Sequence, residues 1–451
     1  MRKLIAVAII LMIASTAFLG SSAVSAQGGK PANDPKRGMI YDGLDLPTDG
    51  SCPGGYIVHV KGTTSKHCSH GPDAPLGGQT AEQSVPPVTT PAPQSAYICD
   101  GDGVSGNRVQ IIYAHGSDVL DNYATYLTSF QTWATTVDWI FNTSAGETGG
   151  TRHVRYVHDA NCLPVVIDVT LTPTGMSTFA NMESELEAQG YNKPGRKYLV
   201  YADTHVYCGI GDIASDDQPG PGNLSNSSLA FARVDNACWG GNSLAHELMH
   251  TLGGVQLSAP HTSGGWHCTD GWDRMCYSDA PYYPTVQIVC TDTSHSRLFD
   301  CGHDDYYSTN PPKGSYLATH WNTANSLFLI GAPQPVLRTD LDVTGTKTRT
   351  GFNLSNSFSS KQTVWAKIHV VDNLNLSVSG ASVSALVLRP NGSTQCTLSG
   401  TTDSAGTLYG SCNLPNSSPS GTWNVRVTGA SKASYVTNFA GAATDHNFAV
   451  K

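Results

Sequence analysis

The chain has 451 residues, 14% of them charged, and a formal net charge of −9 from 26 basic and 35 acidic side chains. That length exceeds one compact domain and implies two or three. No basic cluster is present that would neutralise a phosphate backbone, which argues against a nucleic-acid partner.

Met1, Arg2 and Lys3 precede an apolar run over residues 4–20, and small residues lead to Val24-Ser25-Ala26. This is the layout of a secretory signal peptide over 1–26, cleaved before Gln27. A membrane anchor is the rival reading, disfavoured by the small-residue exit. The cleaved chain is expected to be secreted, with no membrane partner. All twelve cysteines follow this segment, and an even number in an exported chain reads as disulfides. Cys52 with Cys68, and Cys396 with Cys412, are isolated enough to be expected pairs.

Residues 27–97 read as an N-terminal extension with a Pro-rich linker over 72–94. A propeptide is one reading of this segment. A free Cys68 thiol could block a metal, but a Cys52–Cys68 disulfide is the preferred reading.

Residues 98–334 have α/β character. GNRVQIIYAHG (106–116) reads as a strand. A helix follows, with Ser117 as candidate N-cap and Leu120, Tyr123, Leu127, Phe130, Ala134, Val137 and Phe141 on its apolar face. Strands are expected at HVRYVHD, PVVIDVTL, KYLVYAD and SLAFARVD, with a helix near 176–189. The order predicts one mixed sheet backed by helices. Residues 335–451 alternate instead: Val364, Ala366, Ile368, Val370; Val383, Ala385, Val387; Trp423, Val425, Val427. Turn residues separate these runs, which predicts an all-β sandwich. It resembles the immunoglobulin-like modules appended to exported bacterial enzymes, which implies a role in binding an extracellular or surface ligand.

The chemistry concentrates in AHELMHTLGG (245–254). On a helix, His246 and His250 lie on one face a turn apart, where each can give a nitrogen to one ion. Glu247 beside them is placed to act as a general base. The bland alternative is a solvated helix with paired His and Glu; the apolar Leu244, Leu248 and Leu252 and the stop at Gly253-Gly254 argue against it. Glu247 is the last glutamate of the chain, so a downstream Glu ligand is excluded.

HELMHTLGG, with Asp273-Arg274-Met275-Cys276-Tyr277 further on, resembles the HExxHxxGxxH signature and Met-turn of the metzincin zinc proteases. The resemblance implies a catalytic zinc, with Met275 in the turn beneath it. It further implies a role for Tyr277 in binding the metal or stabilising an oxyanion, as in serralysins and astacins. It departs at the third ligand, since the signature's last His falls on Gln256. His261 is the preferred replacement, His267 the rival and Asp270 the third choice.

The implied activity is that of a secreted zinc endopeptidase acting on a protein or peptide. The alternative is an inactive metzincin-like binding or adhesion protein. Zinc hydrolysis of a non-peptide amide is a third reading. Asp100 with Asp102, Asp212 with Asp216 and Asp217, and Asp304 with Asp305 offer oxygens to calcium, though none forms a recognised calcium loop. Solvated acidic loops are the preferred reading there.

Overall fold

The computed structural model describes residues 30–62, 66–75, 84–279, 282–332, 336–349, 351–372, 377–432, 435–437 and 445–451. The expected signal peptide and part of the Pro-rich stretch lie outside the described residues.

Three N-terminal strands come first: β1 (Leu44–Asp45), β2 (Tyr56–His59) and β3 (Lys66–Asp73). Then follow β4 (Arg108–Gly116), the long helix α1 (Tyr123–Glu147), β5 (His153–Val154) and β6 (Val166–Leu171). Helices α2 (Pro173–Ser177) and α3 (Phe179–Ala188) lead to β7 (Arg196–Ala202) and β8 (Gly209–Ile213). The one-turn α4 (Leu224–Ser227), β9 (Ala230–Asp235) and α5 (Gly241–Thr251) complete the layout around the site.

One eight-stranded sheet runs in the order β1-β2-β3-β8-β9-β7-β4-β6. Strands β4, β6, β7 and β9 are parallel, whereas β8 pairs antiparallel with β9 and β3 antiparallel with β8. Every residue of β4 is buried because both faces are covered. Ile111 and Tyr113 face one core, with Phe130, Val137 and Phe141 of α1 and Leu244 and Leu248 of α5. Ile112 and Ala114 face the other, with Met182 and Leu186 of α3 and Tyr56 and Val58 of β2. The alternation follows from the two-residue period of a strand.

Some elements differ from the sequence reading. The expected N-cap Ser117 spends its backbone N–H on Leu171, and α1 starts later, where Asp121 accepts from the N–H of Tyr123. Leu120 is therefore off the helix and 78% exposed. The helix expected over 176–189 is broken at Thr178, whose extended backbone and side chain cap α3. Residues 44–73, read as part of an extension, contribute three strands to the sheet itself.

The C-terminal part is a sandwich of two five-stranded sheets. Val364, Ala366, Ile368 and Val370 from one sheet meet Val383, Ala385, Val387, Trp423, Val425 and Val427 from the other in a single core. Six disulfides form: Cys52–Cys68, Cys99–Cys162, Cys208–Cys238, Cys268–Cys276, Cys290–Cys301 and Cys396–Cys412. Both expected pairs are among them, and the set suits an oxidising compartment. Among the described residues, no helix is long and apolar enough to cross a membrane.

Candidate metal centre

Helix α5 is held between the sheet and the loop that follows it. Leu244, Leu248 and Met249 fix its inner face. Its last carbonyls are taken up as the chain turns: Gly253 donates to His250 and Gly254 to Met249. Gly253 sits at φ +91°, and a side chain there would run into Ser225 and Trp321. Only glycine makes this turn without strain. On the opposite side, a Cβ at Gly209 of β8 would overlap the Glu247 carboxylate. The glycine lets that strand lie directly against the carboxylate.

Three imidazoles converge: His246 Nε2 lies 3.1 Å from His250 Nε2 and 3.2 Å from His267 Nε2, and His250 Nε2 lies 3.1 Å from His267 Nε2. All three residues are buried. The far nitrogens decide what this means. His246 Nδ1 is 2.9 Å from the Arg274 carbonyl, so it donates there. His267 Nδ1 is 2.8 Å from the Asp279 carboxylate and donates in turn. These bonds turn the Nε2 lone pairs toward one another. Nε2 atoms this close need a proton or a cation between them, and ligands on a tetrahedral zinc are spaced about 3.3 Å apart. The donor set and its orientation fit such an ion.

His261 does not join this group, which corrects the preferred third ligand. Its backbone N–H donates to Asp305, and its Nδ1 lies 3.2 Å from Asp305 Oδ2 and 3.3 Å from Asp270 Oδ2. The ring is held on the outer side of the loop, 41% exposed. Gln256, at the position of the signature's last His, donates its side-chain amide to Gly253 and Ala214 and so braces the turn. The rival His267 takes the place beside the helical pair, and Asp270 lies with His261.

Two groups of the site lie far back in the chain. His70 and Asp73, both on β3, enter it. Asp73 Oδ2 is 2.9 Å from His246 Nε2 and its Oδ1 is 3.4 Å from His267 Nε2. Tyr277 donates its hydroxyl to Asp73. His70 Nε2 accepts from the Gly211 N–H and lies 3.2 Å from Glu247 Oε2. Burial works to raise the Asp73 carboxyl, but His70, His246 and His267 hold it well below the usual range. Burial, then the Asp73 charge, pushes Glu247 well above its usual value. Burial also raises the Tyr277 phenol. The sequence hint for this pair was slight: two His and an Asp in KHCSHGPD, at the edge of the Pro-rich stretch.

Met275 is fully buried in the core that holds α5. Its N–H donates to Asp273, and its carbonyl accepts from Cys268. Beside Tyr277 opens a cleft of about 600 Å³, walled by Trp239, Ser243, Trp272, Arg274 and Ile288.

No protein-family model and no curated protein matches the chain. Solved structures give distant likenesses. Catalytically inactive OgpA from Akkermansia muciniphila, in complex with the O-glycopeptide glycodrosocin, aligns over 80% of this chain and 97% of its own at 11% identity and TM-score 0.28. A Salmonella alpha-2-macroglobulin mutant aligns over 27% of this chain, which spans only 7% of that protein, at 18% identity and TM-score 0.20. The Lin-41 filamin domain aligns over 21% of this chain and 83% of its own at 17% identity and TM-score 0.16. Likenesses at this level carry no functional weight, and the reading rests on the residues themselves.

Four of the other acidic residues are engaged elsewhere. Asp100 pairs with Arg108 and Arg155, and Asp102 accepts from Val104 and Ser105 in its own turn. Asp216 accepts from Leu224, and Asp212 is buried against β9, accepting from Phe231.

Proposed function

We propose that this chain is an exported zinc-dependent peptidase whose own N-terminal strand closes the site. The observation that carries the reading is the meeting of three Nε2 atoms, two of them with their far nitrogens engaged as donors. His246, His250 and His267 would hold the ion. When bound, zinc supplies a Lewis acid that polarises a carbonyl and makes water more acidic.

The chain's own groups do the rest. Glu247 lies against the same pocket without being one of the three imidazole donors. Its carboxylate takes a proton from the attacking water and returns it to the departing amine. The Tyr277 hydroxyl, freed from Asp73, donates to the oxygen that becomes negative. A peptide has a ready place to lie: β3 pairs antiparallel with β8, and without β3 the edge of β8 is open to an extended chain. The side chain beside the cleaved bond then points to the cleft lined by Ser243 and Tyr277.

In the full chain β3 fills that edge and Asp73 sits on the metal-facing nitrogens. Residues 27–97 thus read as a propeptide that works through an aspartate. Cys68 is tied to Cys52 and takes no such role.

The test is cleavage of a denatured protein by the full chain carrying Asp73→Ala, with zinc measured in parallel. Adding Glu247→Gln should leave zinc in place and cut the rate by about 10²–10⁴-fold. Zinc binding with no cleavage, indifferent to Glu247→Gln, would support the binding-protein reading instead.

A further inference from the structure

The group around His261 is a second constellation that the peptidase centre does not use. His261 and Asp270 come from the loop after α5; Asp304 and Asp305 come from the segment just past Cys301. His261 Nδ1 faces three carboxylates: Asp305 Oδ2 at 3.2 Å, Asp270 Oδ2 at 3.3 Å and Asp304 Oδ1 at 3.8 Å. One donor atom from each of the four residues lies within 4.8 Å of the other three.

A ring nitrogen carries at most one proton and satisfies one oxygen. Two are left over. Asp270 Oδ2 and Asp304 Oδ1 are buried atoms with no hydrogen-bond partner among the described residues. The Asp270 side chain is only 4% exposed, and that of Asp305 2%. Burying carboxylates without partners is costly, and such groups are paired or bind metal.

We propose that His261, Asp270, Asp304 and Asp305 form a second divalent-cation site, of the zinc class. Calcium prefers six to eight oxygens, whereas an imidazole among carboxylates suits a smaller transition ion. The 3.2–3.8 Å spacings about Nδ1 match four ligands around such an ion. The site is structural. It joins the loop bearing His267 and Met275 to the segment 300–307, where Asp300 already gathers the N–H groups of Asp304, Asp305, Tyr306 and Tyr307. It thereby fixes the chain on both sides of the third imidazole.

The full-length protein, loaded with Zn²⁺ and desalted, is assayed for every metal by mass spectrometry. Two zinc equivalents per chain are expected, falling to one in Asp270→Asn. An Asp270→Asn protein that holds as much zinc as the wild type overturns the proposal, as does calcium as the only ion lost. Should Asp270→Asn not fold, zinc-edge anomalous diffraction on wild-type crystals decides. A peak between His261 Nδ1 and the three carboxylates supports the site, and its absence overturns it. If the ion that Asp270→Asn loses is the one at His246, His250 and His267, located by anomalous diffraction on its crystals, the proposal is overturned.

Discussion

His261 and His267 stand six positions apart on one loop and end in opposite chemistries. His267 is buried, and its Nε2 faces two other imidazoles while Asp279 holds its far nitrogen. His261 is 41% exposed, and its Nδ1 faces carboxylates. The residue type is the same. What separates them is the element that comes to meet each one: α5 and Asp279 for the first, the 304–305 corner for the second. What surrounds each histidine is thus decided by what the fold delivers from elsewhere, and chain distance from the helix is a poor guide.

Two experiments sharpen that contrast. The larger effect is expected from Asp73→Ala. Asp73 makes charge-assisted contacts to His246 and His267 and none to His261. Contacts of this kind contribute about 1.5–3 kcal/mol. Their loss should raise cleavage by the full chain by roughly 10–100-fold, read as initial rate on a quenched peptide. An unchanged rate would mean that the N-terminal strand is no barrier.

The smaller effect is a proton count. In the metal-free protein burial lowers His267, but Asp73 and Asp279 outweigh it and lift the imidazole to about 10. It is therefore charged at neutral pH and must lose its proton to accept an ion. Zinc binding between pH 7 and 9 should release about one proton from this residue, and none once the pH is well above 10. Calorimetry in buffers of different ionisation enthalpy measures it. Asp73→Ala should reduce the release by lowering the His267 pKa.

The legible and illegible parts of the molecule divide along physical lines. His246, Glu247 and His250 could be read because helical spacing alone puts them together. The sandwich could be read because Val364, Ala366, Ile368 and Val370 declare a face by alternation. Strand β8, GIGDI, carries two glycines and little alternation, since it must lie close to Glu247. Strand β3, KHCSHGPD, is nearly devoid of apolar residues and is held by its ladder to β8 and by the Cys52–Cys68 disulfide. Its role follows from contacts distant in sequence, such as the Ser69 hydroxyl donating to the Gly211 carbonyl 142 residues on, which no local pattern encodes. Gln256 is illegible for the same reason: only its bonds to Gly253 and Ala214 show it as a brace.

The most direct test of the three-imidazole centre compares His267→Ala with His261→Ala, both in the Asp73→Ala chain, for zinc content and cleavage. His267→Ala should lose the catalytic zinc and with it all measurable hydrolysis, while His261→Ala continues to cleave. Cleavage that survives His267→Ala and disappears in His261→Ala would contradict the account.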